Sequence, residues 1–295
     1  MHAAIITAAG QPPVYGTYAA PAARDGHIIV DVRAAALSPF SKSRSAGAHY
    51  SADGVFPAVA GAEGVGVAPD GQRVYFALPA APYGALAEQT LVRARQCVPV
   101  PDALDDVTAA AIANPGMSAW AALTARAQLE PGQTVLVNGA TGTAGRLAVQ
   151  IARHLGAGKV IATGRDARAL AAVGADVAVP FDLREADGAE RYEHALIDAF
   201  AGGVDVVLDY LWGASARAII VAIARAIDDA APVRFVHVGG ASGQDAIDLP
   251  GAALRSSAIQ LMGSGVKSVA FPVLLDAIAR VFAAVGPARL QIATR

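Results

Sequence analysis

The chain of 295 residues has a single cysteine, Cys97. One thiol forms no internal disulfide and supplies no cysteine-based zinc cluster; it fits a reducing compartment. Charge is sparse. Charged residues are 16% of the chain, 23 Lys plus Arg against 25 Asp plus Glu, for a formal net charge of −2. That balance lacks the basic footprint of a nucleic-acid binder. Long apolar runs are missing too. One long charge-free stretch, Val107–Ala125, is mostly Ala, Thr and Ser and is interrupted by Asn114-Pro115-Gly116. A spanning helix needs about 20 predominantly apolar residues, so this stretch reads as buried structure and no membrane partner is expected. The opening MHAAIITAAG has no basic region followed by an apolar core. No signal peptide is expected, and the expected location is the cytoplasm.

What is present is apolar. Hydrophobic residues make up 54% of the sequence and the mean hydropathy is +0.42. A disordered chain needs the opposite composition. The length suits one or two domains.

The chain changes character near residue 115. Before it, short β-rich pieces (His27–Val32, Gly64–Val67, Gln72–Phe76, Ala85–Val92) are spaced by turn signals such as Pro69-Asp70-Gly71 and Pro82-Tyr83-Gly84. That spacing predicts a barrel-like or sandwich-like region. After it, apolar runs at Thr134–Asn138, Lys159–Thr163, Val177–Phe181, Val204–Tyr210, Arg234–Val238 and Ile259–Met262 alternate with helical stretches. Those stretches are Ala144–Leu155, Ala167–Val173, Ala189–Phe200, Ala214–Ile227 and Gly251–Ser257. Continuous Val/Ile/Leu strands alternating with helices predict a parallel sheet covered on both faces. Six strands match two mononucleotide-binding halves.

Residues 134–145, TVLVNGATGTAG, carry the clearest local signal. A strand enters a tight turn at Gly139 and a helix leaves near Ala144. Against G-x-G-x-x-G, Ala140 takes the first glycine position and Gly142 and Gly145 fill the others. Gly142 would let the backbone approach a pyrophosphate, and Gly145 would let helix and strand pack closely. Thr141, Thr143 and Ala144 complete the turn, and the phosphates would sit on the helix N-terminus. An ordinary strand–turn–helix is the bland alternative. The second strand ends at Gly164, followed by Arg165, Asp166 and, one helical turn on, Arg168. An acid near this point takes the ribose 2′-OH of NAD, whereas an Arg suits the 2′-phosphate. Arg165 and Arg168 point to NADPH. A shift of two residues would let Asp166 serve as the acid instead, and two solvated charges opening a helix would look the same.

Taken together, a series of motifs resembles the zinc-independent medium-chain dehydrogenase/reductases, in their quinone oxidoreductase branch. The residues are Ala35–Lys42 (AALSPFSK), Pro57–Gly66 (PAVAGAEGVG), Asp70–Tyr75, Asn114–Trp120 (NPGMSAW), Leu129–Val137, the glycine loop, Gly174-Ala175-Asp176, Asp205–Tyr210 and Leu261–Ser264. The resemblance runs from about residue 3 to about residue 290, and the order and spacing of the motifs carry it rather than any one of them.

The resemblance implies an α/β protein. A Rossmann doubly wound parallel sheet (116–265) follows a GroES-like, partly open β-barrel catalytic domain (1–115), and a C-terminal segment (266–295) turns back toward the latter. It implies NADPH-dependent reduction of a quinone or α,β-unsaturated carbonyl in the cleft, and a homodimer through the last Rossmann strand, Ile259–Met262. Carried over residue by residue, Ser38 replaces an Asn near the nicotinamide. His49 and Tyr50 fall in the loop that often holds an active-site Tyr, and Ser118 matches a Ser/Thr touching the cofactor. Phe181 stands where relatives have a Tyr near the adenine. Tyr210, Val238, Gly239, Ser264 and Gly265 end strands that face the nicotinamide. Each also has a plain structural reading: Ser38 as a helix N-cap before Pro39, Tyr50 as a loop cap, and Phe40, Tyr75 and Trp212 as core rather than pocket wall. Asp205 and Asp209 read as structural, with Asp209 near the cleft end.

The zinc branch of the superfamily places a Cys in the early loop and a His before the Glu of Gly-His-Glu; here those positions are Ser38 and Ala62. The six histidines (2, 27, 49, 154, 194, 237) show no paired helical spacing, and His154 and His194 read as solvated. No metal is expected, since zinc needs three or four such ligands. Without a Lewis acid, a plain alcohol–ketone couple is disfavoured, and hydride delivery to a quinone or enone asks less of the protein. No G-x-S-x-G elbow or Walker loop is present. Relatives continue past a segment like Gly286–Ile292 with a helix, a strand and often a phosphate-binding Arg. This sequence stops at Arg295: either the chain is cut there, or it ends early and the catalytic domain is incomplete. Two further readings stand beside the reductase: a non-catalytic NADPH-binding sensor or partner-binding protein, and an enoyl-thioester reductase.

Overall fold

A computed structural model describes residues 1–294; Arg295, the end of the expected C-terminal segment, lies outside them. The chain forms two compact units. One comprises Met1–Asn114 with Ile278–Ala284 and 292–294; the other comprises Pro115–Ala277 with Val285–Gln291.

The first unit is built on antiparallel sheets. Strands β1 (His2–Ile6), β2 (Val14–Thr17) and β4 (Ala58–Val59) form one, in the order β2-β1-β4. Strands β3 (His27–Ala35), β5 (Glu63–Val67), β6 (Arg73–Ala77), β7 (Gln89–Arg93) and β8 (Cys97–Pro99) form the other, in the order β7-β3-β5-β6-β8. Val30, Val74, Phe76, Ala85 and Val92 pack inside it. The strand expected over Ala85–Val92 starts only at Gln89. Its first residues are spent on single bonds that join the sheets, Leu86 N to Ala60 O (2.8 Å) and Ala4 N to Leu86 O (2.8 Å). Helix α1 (Pro39–Ser45) follows β3.

Helix α2 (Asp106–Ala121) runs through Pro115 and gives way to a π-helical turn at Ala122–Arg126. Asn114-Pro115-Gly116 therefore does not interrupt the structure as the sequence suggests. Proline removes one helical bond, but Ala109, Ile112, Ala113, Ala119 and Trp120 are buried, and their packing outweighs that loss.

The second unit is a six-stranded parallel sheet of β9 (Thr134–Asn138), β10 (Lys159–Gly164), β11 (Val177–Pro180), β12 (Val206–Asp209), β13 (Pro232–His237) and β14 (Ala258–Gly263). Its order, β11-β10-β9-β12-β13-β14, is that of the doubly wound dinucleotide fold. Helices α3 (Thr143–His154), α4 (Ala167–Ala171), α5 (Gly188–Ala199), α6 (Gly213–Ala226) and α7 (Gly251–Arg255) connect the strands. Each expected strand and helix of this part is present, with ends shifted by a residue or two. Leu136, Ile161, Val207 and Phe235 face α5 and α6 in one core with Tyr192, Leu196, Ile219 and Ile223. Helix α8 (Phe271–Ala284) was not among the expected helices. It buries Leu274, Ile278, Val281 and Phe282, a spacing that marks one apolar helix face.

Candidate functional site

The turn between β9 and α3 is assembled by backbone bonds. Gly139 N and Ala140 N both donate to Thr163 O (3.1 and 2.9 Å), and Gly142 N donates to Gly139 O (3.2 Å). Gly139 has φ +88°, a region that favours glycine. At Gly145 a Cβ would collide with Gly139 O and sit 2.7 Å from Ala140 Cα, so only glycine lets α3 pack against the turn. Gly142 differs. A Cβ there would meet only Gly139 O, at 3.5 Å. Its side is open, and as N-cap it gives α3 no side-chain hydrogen bond. Gly142 and Thr143 are exposed and Thr141 and Ala144 half-buried. No side chain caps the first amides of this 12-residue helix, and an uncapped helix N-terminus favours an anion.

At the end of β10, Gly164 is buried against Thr141, and Arg165 and Arg168 are exposed. Neither is in a salt bridge among the described residues, although Arg165 is near enough to Asp182 to help lower its carboxyl. Asp166 is the N-cap of α4, its carboxylate accepting from Ala169 N at 2.9 Å. One of its oxygens is therefore engaged by the helix. Past β11, Arg184 pairs with Asp182 at 2.5 Å and holds its carboxyl well below the usual range. Phe181, expected beside the adenine, is 8% exposed and packs on Tyr192 in the core.

On the other half of the sheet, Val238, Gly239, Ser264 and Gly265 are half-buried at the strand ends. Val238 N and Gly239 N donate to Asp209 O, and Ser264 N to His237 O. Tyr210 is buried, which pushes its phenol up while the Ser118 hydroxyl opposes this. Ser118 Oγ also donates to Pro115 O (2.8 Å).

A row of polar side chains crosses the strand ends and was not anticipated as a unit. Thr163 Oγ1 donates to Asn138 Oδ1 (2.7 Å), and Asn138 Nδ2 donates to Asp209 Oδ1 (2.8 Å). Asp209 Oδ2 lies 2.9 Å from His237 Nδ1. Parallel register puts Asn138, Asp209 and His237 side by side. Leu211 N and Trp212 N also donate to the Asp209 carboxylate (3.1 Å each). These bonds hold Trp212 at φ +62°, uncommon for a bulky residue. Its indole packs against the His237 ring at a tilt, with centroids 4.5 Å apart. Nothing in local spacing points to His237; only the register of three strands does. Asp205 is structural, pinning Thr134 N at 2.8 Å.

In the first unit, Ser38 is half-buried, caps α1 by accepting from Ser41 N (3.0 Å), and donates to Glu63 Oε1 (3.0 Å). His49 lies between Phe40 and Tyr50 (5.0 and 4.2 Å between ring centroids), and its Nδ1 is 2.8 Å from Ser51 Oγ. Burial, then the nearby Arg44, lowers the pKa of His49. Tyr50 is 62% exposed. Tyr75 is core, its hydroxyl donating to Glu63 Oε2 (2.6 Å). Among the described residues, no group of three or more His, Cys, Asp or Glu could hold a metal ion, and no helix is long and apolar enough to cross a membrane.

No family model matches the chain. It is 36% identical over 177 residues to a probable NADPH-dependent quinone reductase of Emericella nidulans, tdiC, covering 57% of this chain and 48% of that protein. It is 32% identical over 218 residues to a phenolphthiocerol/phthiocerol polyketide synthase protein of Mycobacterium tuberculosis, covering 72% of this chain and 10% of that one. The chain thus spans about half or less of the curated relatives it matches. Among solved structures, the quinone oxidoreductase of Thermus thermophilus, described alone and with NADPH, superposes with a TM-score of 0.78. That pair is 26% identical, over 98% of this chain and 89% of that one. A mycobacterial quinone oxidoreductase has a TM-score of 0.82 at 22% identity, over 99% of this chain and 91% of that one, a likeness of fold. The similarity to quinone oxidoreductases read in the sequence is borne out, as is the α/β class with its Rossmann sheet.

Proposed function

We propose that the chain is an NADPH-dependent oxidoreductase that reduces a quinone or an α,β-unsaturated carbonyl. One observation carries the reading. The head of α3, which no side chain caps, stands on the same sheet edge as two exposed arginines, Arg165 and Arg168, neither of which is in a salt bridge among the described residues. The pyrophosphate would lie on Thr141–Gly145 and the 2′-phosphate on the arginines, while one oxygen of Asp166 caps α4. NADPH bound there supplies the hydride. Gly164, Tyr210, Val238, Gly239, Ser264, Gly265 and Ser118 border the cofactor, and the edge of Phe181 closes the adenosine end. Ser38, His49 and Tyr50 act on the substrate, Ser38 as the hydroxyl presented to its oxygen. Relatives named as quinone reductases support the activity.

The test is a fluorescence titration with NADPH and NADH, followed by NADPH oxidation with a panel of quinones and enones. Tighter binding of NADPH and turnover of at least one acceptor are expected; equal affinity, or no turnover, would refute the reading. The 218-residue match inside a polyketide synthase favours a second reading, an enoyl thioester as acceptor; turnover of thioesters but not quinones would select it. The free edge of β14, where Gln260 and Leu261 are exposed, would pair with a second copy.

A further inference from the structure

The face of α1 that meets β5 carries three hydroxyls at positions 38, 41 and 45, one side of a helix. They meet three consecutive residues. Gly61 N donates to Ser45 Oγ (2.9 Å), Ala62 N donates to Ser41 Oγ (3.0 Å), and Ser38 Oγ donates to Glu63 Oε1 (3.0 Å). The first two bonds hold backbone. The third is different, because it joins a half-buried hydroxyl to a side chain that titrates.

Glu63 is 2% exposed. The groups facing its carboxyl are Ser38 from the head of α1, Tyr75 from β6 and Asn114 from α2. None is a cation, so an ionised Glu63 has three hydrogen-bonding neighbours but no counter-ion. Burial pushes its carboxyl up to about 7, against the pull of Tyr75, Ser38 and Asn114. The proton is therefore held, and can be given up, near neutrality.

We propose that Glu63 stores the proton that the substrate takes up on reduction and passes it through Ser38. The proposal rests on the reductase reading above. Ser38 is the residue that touches substrate; Glu63 acts through it, as a positioning residue that replenishes its hydrogen. Donor and acceptor counts allow the route. Protonated on Oε1, Glu63 donates to Ser38 Oγ. That oxygen then accepts two bonds, from Glu63 and from Ser41 N, and a hydroxyl has two lone pairs. Its own hydrogen is released to point outward. Hydride addition to the quinone or enone leaves an oxyanion. The oxyanion takes the Ser38 hydrogen while the Glu63 proton moves to Ser38 Oγ. An O–H bond forms on the product, Glu63 remains as a carboxylate accepting from Tyr75 and Ser38, and the oxidised coenzyme has lost the electron pair. Water returns the proton through the same hydroxyl.

The experiment is the pH profile of quinone reduction at saturating NADPH, from one unit below neutrality to two above. The wild-type rate should fall as pH rises through about 7. Glu63→Gln keeps the shape of the site but holds no transferable proton. It should lose about a hundredfold in rate on the acid side, show a flat profile, and bind NADPH as wild type does. Ser38→Ala should be equally slow, and adding Glu63→Gln to it should cost nothing more, the mark of groups acting as a unit. A Glu63→Gln enzyme with the wild-type rate and profile would overturn the relay and leave the reductase reading intact. A wild-type protein that reduces no quinone or enone would overturn both. Should Glu63→Gln not fold, infrared spectra of the wild type with labelled glutamate decide. A buried protonated carboxyl that disappears as pH rises through about 7 supports the relay, and its absence refutes it.

Discussion

His237 Nδ1 lies 2.9 Å from Asp209 Oδ2, and the same carboxylate accepts from Asn138 Nδ2 and from the amides of Leu211 and Trp212. One fully buried side chain thus ties three strands to the turn that opens α6. Asp209→Ala would strip the acceptor from all of these donors at once. Leaving buried polar groups unpaired is expected to destabilise the protein by about 3 kcal/mol. A lower urea midpoint with an unchanged m-value checks this.

The two glycines of the phosphate turn should fail differently. Gly145→Ala forces a Cβ onto Gly139 O and Ala140 Cα, so it should cost about 2 kcal/mol of stability through overpacking, seen in thermal melts without cofactor. Gly142→Ala makes only an ordinary contact with Gly139 O, at 3.5 Å, and should leave the melt unchanged. It should nevertheless weaken NADPH about tenfold, about 1.4 kcal/mol, in a fluorescence titration.

Replacing Arg165 and Arg168 together by Ala should weaken NADPH by about tenfold to a hundredfold, the loss of charge-assisted bonds to a phosphate. NADH affinity should not change. Parallel titrations of the double variant separate the two outcomes.

Glu63 also sets a pH dependence of stability. Its carboxyl lies near 7 in the folded protein against an ordinary value of 4.5. Between those values the folded state binds the proton more strongly, so stability falls as pH rises through this window and then levels off. The difference corresponds to about 3 kcal/mol. Urea unfolding at the two ends of the window should show that slope in the wild type and a flat line in Glu63→Gln.

Much of the second unit was legible because its signals are local. Thr134–Asn138 is a continuous apolar strand, Gly139 demands a left-handed turn, and Gly145 demands close packing, all within a dozen residues. The first unit was less legible. Its joining segment, Ala85–Glu88, reads as strand but is spent on bonds to Gly61, Ala60 and β1, partners distant in sequence. Helix α2 was hidden by Pro115, whose penalty is outweighed by neighbours that no local pattern names. The position of Phe181 at a strand end is visible in the sequence, and the packing of its ring on Tyr192 is not.

Residue order alone determined the alternation of strand and helix, the six-stranded sheet and the amide-rich turn with arginines after it, because each depends on neighbours a few positions apart. Tertiary structure decided what Asp209 and Glu63 do with their carboxylates, while Asp166 is set by its own helix. One caps a helix, one clamps three strands, and one is sealed from water beside a serine. A carboxylate's behaviour is set by solvent access and by the donors within about 3 Å. For Asp209 and Glu63, chain segments far apart in sequence supply both.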